Sequence, residues 1–277
     1  MGDCMNDFLS IQVKNNSNWV RCYNRLFEKE LLLQFFKQYD GRFNQLVNII
    51  DIGCGNGRSA LLLRELFGNK GVIHGIDKCK ENIFRAKQLI CDPKTSFETA
   101  DAYNYFSNYS NINKFDIAFF SWSLFDMCNE EDFLQKEARL RTLINIVKKC
   151  LTPDGLIVVL QPTKGGVFEQ LLSKFMPGSD ADYEMVHNFL MKSGFDGAKS
   201  AFPKPNDSWT IWSEFLYSSI DEVFWGVSSI LYLEQKRVLS RDEFDRVFYG
   251  FLKEHNIELT ELKLTDCVNL YYIALGE

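Results

Sequence analysis

No stretch of this 277-residue chain reaches the ~18–20 consecutive apolar residues of a membrane helix, and its start does not read as a signal peptide. No run of Lys or Arg stands out, and 31 basic residues against 37 acidic ones leave a formal charge of −6. Nothing therefore advertises the electrostatic footprint of a nucleic-acid or anionic-membrane partner. C-x-x-C spacing is missing too: Cys4, Cys22, Cys54, Cys79, Cys91, Cys128, Cys150 and Cys267 are scattered. The count suggests disulfides, but the chain is long enough to bury a core without staples, and the reading is of reduced thiols in a cytoplasmic protein without a metal site. The opening MGDCMN puts Asn6 where an N-myristoylation signal needs Ser or Thr. Internal repeats are absent, and no segment has the composition of a flexible linker.

What is present is an alternation. Residues 19–39 carry apolar side chains at helical spacing and end at Asp40-Gly41. Short apolar runs at 47–52, 71–76, 96–100, 115–121 and 156–161 then read as strands. Helical patterns at 58–67, 80–90 and 130–150 separate them, and LTPDG at 151–155 reads as a helix exit and turn. Strands and helices of these lengths predict a parallel sheet covered on both faces, with right-handed crossovers. Beyond Gly166 the pattern loosens. Helical stretches at 168–175, 182–193, 221–233 and 241–255 surround an aromatic segment at 209–217, and 257–264 with 269–275 alternate like a closing hairpin. A single elaborated domain is expected over 1–277, with a helical cap (1–44), a core (45–165), and a substrate-side region of helices, lid and closing strands (166–277).

A doubly wound sheet binds ligands at the carboxyl ends of its strands where strand order reverses, so the loop after the first strand is the prime location. There VNIIDIGCGNGR packs Gly53, Gly55 and Gly57 into five positions behind Asp51. Glycines permit positive φ and close backbone approach, and the following helix offers its free N–H groups and positive end. A dinucleotide loop needs G-x-G-x-x-G, whose third glycine would fall on Arg58. An acid two residues ahead of the first glycine suits a ligand with a positive group rather than a pyrophosphate.

The pattern resembles motif I of the class I (Rossmann-like) S-adenosylmethionine-dependent methyltransferases. The resemblance implies that Asp51 lies near the methionine moiety and its ammonium, with Gly53, Cys54, Gly55 and Gly57 around it. It asks for an acid at the end of the second strand to take the ribose hydroxyls, and Asp77, followed by Lys78, closes GVIHGID there. A carboxylate facing a vicinal diol can accept two hydrogen bonds, each worth ~1.5–3 kcal/mol. Asp101-Ala102, at the end of FETAD, match the position that binds adenine, and FDIAFFS ends at Ser121-Trp122 where the fourth strand flanks the cofactor. LTPDG matches the turn before the fifth strand, and FLMKSGF at 189–195 is a faint echo of the entry to the sixth. Taken singly, a glycine triplet is a turn, Asp77 a helix N-cap, Asp101 a surface acid and Cys54 a small packing residue; joint order and spacing over about residues 45–163 carry the reading. What it implies is S-adenosyl-L-methionine as cofactor and S-adenosyl-L-homocysteine (SAH) as product. The implied fold is α/β, a doubly wound, mostly parallel seven-stranded sheet with helices on both faces, plus an N-terminal helix and a C-terminal helical insertion forming a lid.

Methyl transfer from a sulfonium is an in-line displacement in which the protein chiefly positions the reactants; a base is needed only for an acceptor protonated at neutral pH. Acceptor residues are expected after the fourth and fifth strands: Trp122, Ser123, Phe125 and Asp126, then Gln161, Thr163 and Lys164. SWSLF is not the (Asp/Asn)-Pro-Pro-aromatic motif of nucleic-acid amino-methyltransferases, and the Pro-Cys or Thr-Cys of RNA C5 enzymes is also absent. Of the three histidines, His74 reads as structural and His255 as solvated, which leaves His187 as a base to test. Asp126 is a better-placed carboxylate, or the N-cap of the following helix. Trp209 and Trp212 read either as core packing or as a lid, in which case Trp19 and Tyr23 would face the same cavity. The expected activity is O- or N-methylation of a small, partly hydrophobic molecule, with nucleic acid disfavoured. A protein or RNA methyltransferase, or a non-catalytic cofactor-binding regulatory subunit, is the alternative.

Overall fold

The computed structural model describes residues 25–109, 114–124, 127, 133–163, 167–197, 210–216, 219–231 and 237–276, apart from 40, 44, 178, 222, 225–226, 229–230 and 260–262. Among the described residues there are eight strands: β1 (Val47–Ile52), β2 (Gly71–Asp77), β3 (Thr95–Thr99), β4 (Phe115–Ser121), β5 (Leu151–Thr163), β6 (Asp196–Gly197), β7 (Thr210–Leu216) and β8 (Lys263–Ala274). The helices are α1 (Arg25–Lys37), α2 (Arg58–Phe67), α3 (Lys80–Leu89), α4 (Ala102–Tyr109), α5 (Phe133–Cys150), α6 (Val167–Phe175), α7 (Ser179–Lys192) and α8 (Arg241–His255).

The sheet order is β3-β2-β1-β4-β5-β8-β6, with β7 paired to β8 off this path. β1 runs parallel to both β2 and β4, β2 to β3, and β4 to β5, while β6 is antiparallel to β8. Strand order thus reverses between β1 and β4, which opens a crevice at their carboxyl ends. The sheet is mostly parallel and flanked by helices as expected, but its strand count is not the expected seven, because Thr210–Leu216 adds a further strand.

Two compact units divide the chain. The larger comprises Leu26–Pro162, Glu184–Ile211 and Val268–Glu277. Its central strands β1, β4 and β5 are largely apolar on both faces because both are covered. Ile49, Phe119 and Val158 face Leu32 and Phe35 of α1, Leu63 of α2 and Ile83 of α3. The alternate residues Ile50, Phe120 and Val159 face Phe106 of α4, Leu143 of α5 and Phe189 of α7.

The smaller unit is built on Thr163–Tyr183 and Trp212–Cys267. In it α8 starts with a capping arrangement, Ser240 Oγ accepting from Glu243 N at 3.2 Å, and ends on Asn256 at φ 52. Its buried Phe244 stacks on Phe175 of α6 and on Phe248.

Three local readings are corrected. LTPDG is not a free turn: it lies within β5, where pairing with β4 slips from Phe115↔Leu151 to Ile117↔Leu156, so residues 152–155 form a bulge. The closing hairpin is replaced by one continuous strand over its second half, β8, after α8. α4 was missing from the sequence reading, because AYNYFSNY is short and rich in weak helix formers; burial of Tyr105 and Phe106 fixes it.

Candidate functional site

β1 delivers Asp51 and then Gly53, Gly55 and Gly57, at φ 71°, 54° and 91°. The three glycines do different work. A Cβ on Gly53 would lie 2.4 Å from the Cβ of Ser123, and one on Gly57 would lie 3.1 Å from the Cβ of Ala86 in α3. A Cβ on Gly55 would meet no protein atom within 4 Å. The outer two are therefore required by packing, and the middle one faces the side from which a ligand can approach. Gly53→Ala should destabilise the fold by about 2 kcal/mol or more, whereas Gly55→Ala should cost it only about 1 kcal/mol yet still weaken cofactor binding. Thermal melting combined with titration calorimetry checks both, and equal melting losses would contradict the division of labour.

Asp51 is fully buried. Its Oδ2 accepts from Ser59 Oγ at 2.6 Å, and its Oδ1 has no hydrogen-bond partner among the described residues. Burial pushes its pKa up to about 7, against the opposing pull of the Ser59 bond and the Arg58 charge. Asp77 accepts from Gly55 N through Oδ2 at 2.9 Å and from Cys79 N through Oδ1 at 2.8 Å. It is not the N-cap of α3, which is Cys79. Burial raises the Asp77 pKa, and the two backbone donors partly offset this. Lys78 beside it is exposed. Asp101 does cap a helix: its Oδ1 accepts from Asn104 N at 3.1 Å at the start of α4, ahead of the buried Ala102. Cys54 is buried and burial pushes its thiol well up, so it packs as a neutral side chain.

At the end of β4, Ser121 Oγ accepts from Arg58 Nη2 at 2.9 Å. Trp122 follows at φ 58° and donates its indole Nε1–H to Glu28 Oε1 at 2.9 Å. Ser123 donates to Ile52 O at 2.6 Å, so its hydroxyl ties the ends of β4 and β1 together. Gln161, near the end of β5, is 1 % exposed, and neither of its amide atoms has a hydrogen-bond partner among the described residues.

His187 on α7 has its Nδ1 2.6 Å from the hydroxyl of Tyr271 on β8, and that oxygen also accepts from Asn269 Nδ2 at 3.0 Å. Burial holds the Tyr271 phenol up at about 12. His74 bonds Ser96 through Nδ1 at 2.8 Å and stacks on Tyr105. Trp19, Tyr23, Phe125, Asp126 and Trp209 lie outside the described residues, as does the side chain of Trp212 on β7. Conversely, Glu28, Arg58 and Ser59 were missed. A lone acid three and four residues before Leu31 and Leu32 on one helix face was the available signal for Glu28.

A family model described as a methyltransferase domain matches residues 43–215, well over half of the chain. The chain belongs to the methyltransferase domain family. It is a class I S-adenosylmethionine-dependent methyltransferase, with S-adenosyl-L-methionine as cofactor. The first two of the following solved structures share its fold. A candidate methyltransferase from Bacillus halodurans C-125 is 10% identical at a TM-score of 0.54, covering 88% of this chain and 99% of its own. A candidate type II methyltransferase from Anaeromyxobacter dehalogenans is 15% identical at 0.51, covering 91% and 97%. The plantazolicin methyltransferase BpumL, solved in complex with SAH, is 14% identical at 0.46 and covers 99% of each chain. No curated protein matches. The methyltransferase's residues fit its cofactor: the unpartnered Asp51 Oδ1 suits an ammonium, and the open side of Gly55 leaves room for it. Among the described residues no cluster of His, Cys, Asp and Glu could hold a metal ion, and no helix is long and apolar enough to cross a membrane.

Proposed function

We propose that this methyltransferase methylates an oxygen or nitrogen of a small, partly hydrophobic molecule. In this reading Asp51 takes the cofactor's ammonium, the 53–57 loop surrounds its methionine end, Asp77 with Lys78 holds the ribose, Asp101-Ala102 meet the adenine, and Ser121-Trp122 flank it. The observation that carries the cofactor half is the buried Asp51 oxygen that no group among the described residues satisfies. Such an atom costs the fold roughly 1–3 kcal/mol or more when left alone, and a cationic ligand removes that cost.

The bound cofactor supplies a methyl group already activated on a sulfonium. The chain's own residues hold the reactants in line, and positioning of this kind is worth up to about 7–11 kcal/mol. Three features support a small acceptor: the acidic charge, the SWSLF sequence in place of a nucleic-acid amino-methyltransferase motif, and the buried Gln161 amide with unpaired donor and acceptor atoms near the end of β5. A lid formed by the aromatic segment with Trp209 and Trp212 belongs to the proposal on sequence grounds.

The test uses purified protein, methyl-labelled cofactor and an extract of the source organism, separated into small-molecule, protein and nucleic-acid fractions. Label in the small-molecule fraction is expected. Label in a macromolecular fraction would overturn the acceptor class. Cofactor binding with no label in any fraction would favour a subunit that needs a partner.

A further inference from the structure

We infer that Glu28 is a positioning residue for the cofactor site, holding Arg58 and Trp122 in fixed relation across the β1–β4 crevice with one carboxylate; this rests on the cofactor reading above. Glu28 stands on the face of α1 that carries the buried Leu31 and Leu32, and it is itself only 2% exposed. Its Oε2 pairs with Arg58 Nη1 at 2.5 Å and its Oε1 accepts from Trp122 Nε1 at 2.9 Å. Arg58 opens α2 directly after the glycine loop, and Trp122 is the first residue beyond β4. One side chain from a third element thus joins the two lips of the crevice where the strand order turns.

Two further observations give this link a purpose beyond packing. Trp122 holds φ 58°, a left-handed conformation that strains a bulky residue and is kept only where neighbours over-determine it. The indole bond to Glu28 and the bond from Trp122 N to Leu160 O at 2.8 Å are such restraints. The Arg58 charge also reaches Asp51 and favours its ionised form. A buried ion pair is a poor device for stability alone, since apolar replacements of similar volume are commonly neutral or stabilising. Here the pair fixes the angle of a guanidinium and an indole at the rim of the cofactor loop.

The experiment compares the full chain with Glu28→Gln and with the double variant Glu28→Met/Arg58→Met. SAH affinity is measured by calorimetry, melting by circular dichroism, and the Trp122 indole N–H by NMR on 15N-tryptophan protein, assigned through Trp122→Phe. The double variant is expected to melt close to the parent but to bind SAH about tenfold or more weakly, with a displaced Trp122 resonance. Glu28→Gln keeps an acceptor for the indole, so it should retain the resonance and lose affinity by a smaller factor. A folded double variant with parental SAH affinity would overturn the inference. If the double variant does not fold, unchanged affinity in Glu28→Gln overturns it. A parent that fails to bind SAH at all would remove the cofactor reading itself, and this inference with it.

Discussion

Asp77→Ala should weaken SAH binding by about two orders of magnitude or more while the chain still folds. Two hydrogen bonds from a ribose diol to a carboxylate are worth roughly 3–6 kcal/mol together. The same carboxylate also accepts from Gly55 N and Cys79 N, so its loss frees the middle of the glycine loop as well. Asp77→Asn separates the two contributions, since the amide oxygen can still accept one of these backbone bonds. It should recover part of the loop's order but little of the affinity. Titration calorimetry with SAH, alongside a melting curve, reads both, and undiminished binding by Asp77→Ala would remove Asp77 from the ribose site.

The second large effect is on pH. With its pKa near 7, Asp51 carries a proton in much of the free protein at pH 6 and little at pH 8. An ammonium ligand needs the carboxylate, so SAH should bind about tenfold more weakly at pH 6 than at pH 8, with uptake at pH 6 releasing close to one proton. Calorimetry in buffers of different ionisation enthalpy counts that proton. Asp51→Asn should abolish both the release and the slope. For the ligand-free protein the sign is opposite to that of a salt-bridged acid. The folded pKa lies above the ordinary value of 3.8, so the folded state binds the proton more tightly than the unfolded chain does. Stability should fall as pH rises from about 4 to about 7 and then level off. Asp51→Asn should lack this decline, and an SAH affinity independent of pH would sink the assignment.

The part of this molecule legible in the sequence is the part governed by local rules. Buried parallel strands write themselves as apolar runs, and Asp51, the three glycines and Asp77 follow those runs at spacings that the loop geometry requires. What was illegible depends on long-range contact. Ser59 looks like an ordinary first-turn helix residue until it is seen donating to Asp51. Glu28 precedes Arg58 by 30 residues and Trp122 by 94, and no pattern in a linear window joins them. α4 exists because Tyr105 and Phe106 have a core to enter, which propensity cannot report. His187 illustrates the converse: a histidine that looked available in sequence is bonded to Tyr271 on β8.

The glycine loop also decides which sign of charge it can recognise. Amides from Gly53 to Gly57 donate within the protein: Gly53 and Cys54 to Ile76 O, Gly55 to the Asp77 carboxylate, and Gly57 to Cys54 O. Phosphate-binding loops work by leaving such donors turned toward the ligand. Here the donors are committed before any ligand arrives, and the group left with spare capacity is an acceptor, Asp51 Oδ1. In the proposed reading a backbone shape that elsewhere captures anions serves a cation, and a diphosphate approaching it would meet a carboxylate instead of a row of N–H groups.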